Sequence, residues 1–121
     1  MQITQKNFYK KFLGRIGEKK AVEHLKKQGY KILDKNFKTH VGEIDIIASD
    51  KEVICFVEVK TRSGDGFGQP SEAVNRKKQE KYFKVAEEYL LSKGLTDREC
   101  RFDVIEVKNE KINLIKDAFW R

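Results

Sequence analysis

Two apolar runs, residues 42–49 and 53–61, flank Asp50-Lys51-Glu52, and both carry acids where an all-apolar strand would place valine or isoleucine. The runs are rich in β-branched residues, of strand length and bounded by polar turn residues, a pattern that predicts a β-hairpin. Charged groups are rarely buried without partners, so these acids need an explanation. With Lys51-Glu52 at the tip, Asp50 pairs with Val53, and counting back places Asp45 opposite Glu58. Side chains two apart on a strand share a face, so Lys60 points the same way as Glu58. Glu43 is set aside, as facing away from Glu58 by strand alternation. Two carboxylates and one ammonium are therefore expected on one patch of sheet.

The flanking chain reads as what holds and covers that patch. From about Asn7 to Gln28 the pattern is helical, closed by Gly29 as a C-cap, with Gly14 and Gly17 weakening the middle enough to allow a kink or two shorter helices. Ala21, Val22 and Leu25 follow Glu18 at helical spacing, which puts Glu18 on the buried face. The plainer reading of Glu18 is an ordinary glutamate near a helix start. Residues 30–38 read as a strand, with the connection at 39–42 carrying His40. His40 is read as a solvated loop residue and His24 as a helix-surface one. The glycine-rich stretch 62–70 fits no dinucleotide fingerprint and is expected to be a loop, a candidate flap over a substrate backbone. Ser71–Val74 reads as a single turn. Asn75 caps a helix running to Lys93, with Gly94 past its end. Its apolar face is Tyr82, Phe83, Ala86, Tyr89 and Leu90, its first turns carry Arg76, Lys77, Lys78, Lys81 and Lys84, and Gln79 sits at the edge of the buried face. Residues 101–107 alternate as a fourth strand. Residues 112–115 suggest a short fifth after an Asn109-Glu110 turn, and Phe119 and Trp120 read as a terminal core plug. The order α-β-β-β-α-β predicts an α/β fold, a mixed sheet flanked by helices, as one domain over residues 1–121.

Oxygen ligands from Asp45, Glu58, the Val59 carbonyl and Glu18 suit a hard divalent cation, Mg²⁺ or Mn²⁺. Such a metal would lower the pKa of a bound water and shield a phosphodiester under attack. Lys60 would orient the attacking water or stabilise developing phosphoryl charge. The competing reading is a buried ion-pair cluster in which Lys60 neutralises both acids, an arrangement costly to desolvate. Lysine and arginine exceed the acids, 26 against 19, for a net charge of +7, which favours a polyanion partner. Arg62, Arg76, Lys77, Lys78, Gln79 and Lys81 are the expected nucleic-acid contacts. Cys55 and Cys100 form no Cys-x-x-Cys and have no histidine pair nearby, and are read as reduced core thiols. No signal-peptide pattern and no apolar run near membrane-span length is present, so a cytoplasmic protein without membrane attachment is expected.

Asp45 followed thirteen positions on by Glu58-Val59-Lys60 resembles the Asp…Glu-x-Lys signature of the PD-(D/E)XK nuclease superfamily, and the element order resembles its restriction-endonuclease-like core. Gly17-Glu18 with Ala21, Gly29-Tyr30, Asn36, Gly42-Glu43-Ile44-Asp45, Phe56-Val57-Glu58-Val59-Lys60-Thr61-Arg62, Lys78-Gln79 and Arg101-Phe102-Asp103-Val104 together resemble the bacterial YraN family of predicted endonucleases, distant relatives of archaeal Holliday junction resolvases. The resemblance implies metal ligation by Asp45 and Glu58, a helical acid at Glu18, a catalytic Lys60 and accessory roles for Lys78 and Gln79. The resulting expectation is a metal-dependent endonuclease acting on DNA, with branched or structured DNA and a homodimer as candidates by analogy. The alternative is a non-catalytic nucleic-acid-binding module on the same fold.

Overall fold

The computed structural model describes residues 5–62 and 75–121, with side chains from residue 11 onward, so the turn expected at 71–74 and most of the glycine loop lie outside the described residues. Helix α1 (Gln5–Lys27) is followed by strands β1 (Lys31–Lys38), β2 (Glu43–Asp50) and β3 (Val53–Thr61), helix α2 (Arg76–Lys93), and strands β4 (Cys100–Lys108) and β5 (Lys111–Phe119). The strands form one sheet in the order β1-β2-β3-β4-β5, antiparallel throughout except for the parallel β3–β4 pair. The expected mixed sheet with a helix on each face is what forms.

Local chemistry sets the element ends. Lys51 adopts φ 56° at the β2–β3 tip, and Asn109 adopts φ 53° at the β4–β5 tip. The Asn75 side chain accepts from the Lys78 amide at 2.9 Å, supplying a partner to a backbone donor that the first turn leaves open. Gly94, at φ 66°, returns its N–H to the last carbonyls of α2. α1 is a single helix despite its two glycines, and Gly17 has a packing reason: a Cβ there would run into Thr61 Oγ1 on β3.

Two cores sandwich the sheet. Ile44, Ile47, Phe56 and Val104 meet Tyr82, Phe83, Val85, Ala86 and Tyr89 of α2 on one face. Ile46, Ala48, Cys55, Val57, Ile105 and Val107 meet Ala21 and Leu25 of α1 on the other. Four expectations are corrected. β5 runs nine residues rather than four, because Phe119 continues the ladder opposite Phe102. Trp120 is exposed while Phe119 is core, so the terminal plug is one aromatic, not two. Cys100, at the start of β4, is exposed and only Cys55 is a core thiol. Val85, absent from the expected apolar face, is fully buried on α2.

Candidate metal centre

The hairpin register places Asp50 opposite Val53 and runs to Ile46 opposite Val57. Asp45 comes next on β2, where the side-chain alternation slips. Ile44 packs on the α2 side and Ile46 on the α1 side, although residues two apart on a regular strand share a face. On neighbouring β1, Asn36 takes φ 53° between Lys35 and Phe37, which pair with Ile46 and Ile44. At this break an Asp45 carboxylate oxygen accepts the Val59 N–H of β3 at 2.9 Å. The side chain thus supplies the contact between the two strands beyond the ladder, and its carboxylate is held at their fork.

Glu58 follows Phe56 on the α2 side of β3 and is 6% exposed. Its Oε1 accepts from Lys78 Nζ at 3.0 Å. Burial and the charge of Asp45 push the Glu58 carboxyl up to about 8 in spite of Lys78. A hydrogen bond shared with Asp45 pushes in the same direction, since it needs a proton on one of the two carboxyls. Lys78 is therefore an incomplete neutraliser. One cation at the rim does not repay the desolvation of a carboxylate that also faces a second acid.

From the other face α1 contributes Glu18. Carboxylate oxygens of Glu18, Glu43 and Asp45 all lie within 4.8 Å of one another. Partial burial and then the charge of Asp45 raise the Glu18 pKa, against a hydrogen bond with Asn36. Glu43 corrects the expectation that set it aside. It stands two residues from Asp45, and its carboxylate joins those of Asp45 and Glu18 in the acidic cluster. That relation was available from the sequence spacing. Asn36 was not, because its part depends on the break in β1.

The expected cations are placed differently. Lys60 is half-buried and forms no ion pair or side-chain hydrogen bond with the described residues, so it does not neutralise Glu58. It borders an open cleft of about 550 Å³ with Leu13, Gly14, Glu58 and Arg62. Arg62 turns inward, its Nε 2.9 Å from the carboxylate of fully buried Glu106, so its guanidinium is already engaged. Gln79 accepts from Arg76 at 3.4 Å, and Arg76 also pairs with Glu80. Lys77 and Lys81 are exposed on α2, beside a groove of about 400 Å³ that runs along Val41, Gly42, Glu43 and Lys78. His40 is exposed and lies 4.0 Å from Glu88, away from the acids.

The donors are all oxygen: the carboxylates of Glu18, Glu43 and Asp45, that of Glu58 beside Asp45, and the Val59 main chain. No thiol or imidazole approaches this cluster among the described residues. That chemistry fits a hard cation such as Mg²⁺ or Mn²⁺ and does not suit a structural zinc. No helix among the described residues is long and apolar enough to cross a membrane.

Residues 17–107 match the model of the uncharacterised protein family UPF0102, a span that includes every acid of the cluster. A UPF0102 protein of Alkaliphilus oremlandii is 55% identical over 115 residues, covering 90% of this chain and 98% of its own length. One from Caldanaerobacter subterraneus is 50% identical over 121 residues, with 94% and 99% covered. One from Persephonella marina is 45% identical over 106 residues, with 88% and 91% covered.

Proposed function

The chain belongs to the UPF0102 family, the group that the sequence resemblance named YraN, and we propose that it is a divalent-metal-dependent endonuclease acting on DNA. One observation carries this reading. Acids from α1, β2 and β3 converge on Asp45 at a strand fork, although their mutual repulsion and burial raise the pKa values of Glu58 and Glu18. A purely structural site gains little from such an arrangement, whereas a cation site requires it.

Asp45, Glu58, the Val59 carbonyl and Glu18 would hold Mg²⁺ or Mn²⁺, with Glu43 in reach. The bound cation would offset phosphodiester charge and acidify a water. Asp45 spends one oxygen on the Val59 N–H, which fixes its carboxylate and leaves the other oxygen directed by the backbone. Glu58, shielded from solvent, presents a poorly hydrated carboxylate that gains most from an ionic partner. Lys60, uncommitted among the described residues and two positions from Glu58, can donate to a phosphoryl oxygen or orient the attacking water. Lys77 and Lys81, exposed on α2, suit contacts to the nucleic-acid backbone, which are mainly electrostatic. Branched DNA and a two-fold dimer remain part of the proposal by analogy with the resolvases.

The alternative, a DNA-binding module without catalysis, draws on the Lys78–Glu58 pair, which partly neutralises Glu58 without a metal. Incubating the protein with linear, nicked and four-way-branched DNA in Mg²⁺ or Mn²⁺ distinguishes the two. The nuclease reading expects cleavage that disappears in Asp45→Asn, Glu58→Gln and Lys60→Ala. Salt-sensitive binding without cleavage, equal in wild type and Asp45→Asn, would establish the module instead.

A further inference from the structure

Lys78 stands between two sites, a buried acid and a lysine-lined groove. On one side is the Glu58 carboxyl group, 3.0 Å away, whose own side chain is 7% exposed while that of Lys78 is 40% exposed. On the other is the groove lined by Val41, Gly42, Glu43, Lys77 and Lys81, into whose wall Lys78 is also built. The Lys78 backbone is pinned, because its amide donates to the Asn75 cap in the first turn of α2. Its four-carbon stem is not pinned, and the ammonium lies 5.8 Å from the Tyr82 ring, a second polarisable surface along its path.

We propose that Lys78 couples cation loading to DNA binding by exchange. In the metal-free protein its ammonium occupies the place of a cation at Glu58. When a divalent cation takes the Glu58 oxygens, like-charge repulsion at that distance drives the ammonium toward the groove. There it joins Lys77 and Lys81 to form a three-lysine seat for a backbone phosphate. Without the cation the Lys78 ammonium stays hydrogen-bonded to Glu58, and the groove, one lysine short, binds a polyanion less well. The coupling is reciprocal: DNA that draws Lys78 into the groove leaves Glu58 bare and strengthens cation binding by the same factor. The inference rests on the metal-dependent nuclease reading and adds an order to it, with neither ligand reaching full affinity alone.

Calorimetric titration of Mn²⁺ into DNA-free wild type, Lys78→Met and Lys78→Arg tests the exchange. Removing the competing ammonium is expected to tighten Mn²⁺ binding by at least about fivefold in Lys78→Met, the lower end of ordinary coupling between sites. Lys78→Arg, whose fork grips a carboxylate more firmly, is expected to weaken it. The second arm measures anisotropy of a labelled DNA duplex in EDTA and in Ca²⁺. The cation is expected to raise affinity by at least about fivefold in wild type and by clearly less in Lys78→Met. If Lys78 only supports the fold, Lys78→Met binds Mn²⁺ equally or more weakly and gains as much DNA affinity from Ca²⁺ as wild type does. That result overturns the exchange and leaves the nuclease reading standing. Mn²⁺ binding to none of the three proteins overturns both. Should Lys78→Met melt far below wild type, the sign of the change in Lys78→Arg decides, tighter Mn²⁺ binding there being incompatible with the exchange.

Discussion

Gly14 and Gly17 lie three residues apart on α1, and alanine at the two positions is expected to have different consequences. Among the described residues nothing lies within 4 Å of a Cβ added at Gly14. Gly14→Ala should therefore gain the usual helix-interior difference, about 1 kcal/mol. Gly17→Ala gains the same propensity, but its Cβ collides with Thr61 Oγ1, with Thr61 Cβ at 3.5 Å and Cγ2 at 3.8 Å. Overpacking of this kind costs about 1–3 kcal/mol, leaving a net loss between about 0 and 2 kcal/mol. Thr61→Ala removes both atoms beyond Cβ and leaves an ordinary contact, so the double variant should recover the gain. A double-mutant cycle in urea should show a coupling of about 1–3 kcal/mol, and in thermal melts each kcal/mol should move Tm by about 3–6 °C. Glu18 follows Gly17, so an α1 pushed off β3 carries its carboxylate away from Asp45. Mn²⁺ affinity should fall in Gly17→Ala and return in the double variant. Equal stabilisation by Gly14→Ala and Gly17→Ala, or strict additivity with Thr61→Ala, would refute the close-approach argument.

Three further outcomes follow from other parts of the molecule. Arg101 holds fully buried Asp103 through Nε at 2.9 Å and a second nitrogen at 3.0 Å, and also donates to Tyr30. Arg101→Met, by stranding that carboxylate, should cost about 3–5 kcal/mol in urea unfolding, and a loss below about 1 kcal/mol would contradict it. Glu58 keeps its proton up to about 8 in the folded chain, whereas an unfolded carboxyl loses it near 4.5. Across that window the folded state binds more protons, so stability in EDTA should fall as pH rises and the Glu58 contribution should vanish from the slope in Glu58→Gln. An unchanged slope would show that Glu58 does not titrate in this way. Burial pushes the Cys55 thiol up to about 12, while Cys100 is exposed. Iodoacetamide at mild alkaline pH should modify only Cys100 until denaturant is added, as peptide mass mapping would show, and early modification of Cys55 would contradict its burial.

The features legible in advance were those fixed within a few residues of chain. Counting back from the Lys51-Glu52 tip places Asp45 against Glu58; the ladder follows that register as far as Ile46 opposite Val57, beyond which the Asp45 side chain takes the Val59 N–H instead. Asn75 and Gly94 bound α2 where their side-chain and backbone chemistry put them. Glu43 was within reach of the same counting, since it stands two residues from Asp45. The break at Asn36 was not, because a left-handed residue inside a strand leaves no reliable trace in hydrophobic alternation.

Partnerships between charges belonged to the tertiary structure. Sequence proximity pairs Glu58 with Lys60, yet Lys78 answers it from twenty residues away, because α2 packs over the same face and its first turn overhangs the strand. Arg62 reads as a free basic residue after a strand, but parallel pairing of β3 with β4 brings it to buried Glu106. Long flexible cations are chosen by whichever carboxylate folding leaves desolvated within their reach, and no local pattern encodes that distance. The amino-acid sequence by itself determined that acids would meet on the β2–β3 hairpin, because strand register is a matter of turn chemistry and a period of two. Only the packing of two helices on opposite faces decided that Glu18 would join Glu43 and Asp45, with Lys78 on Glu58 and Lys60 in no ion pair among the described residues.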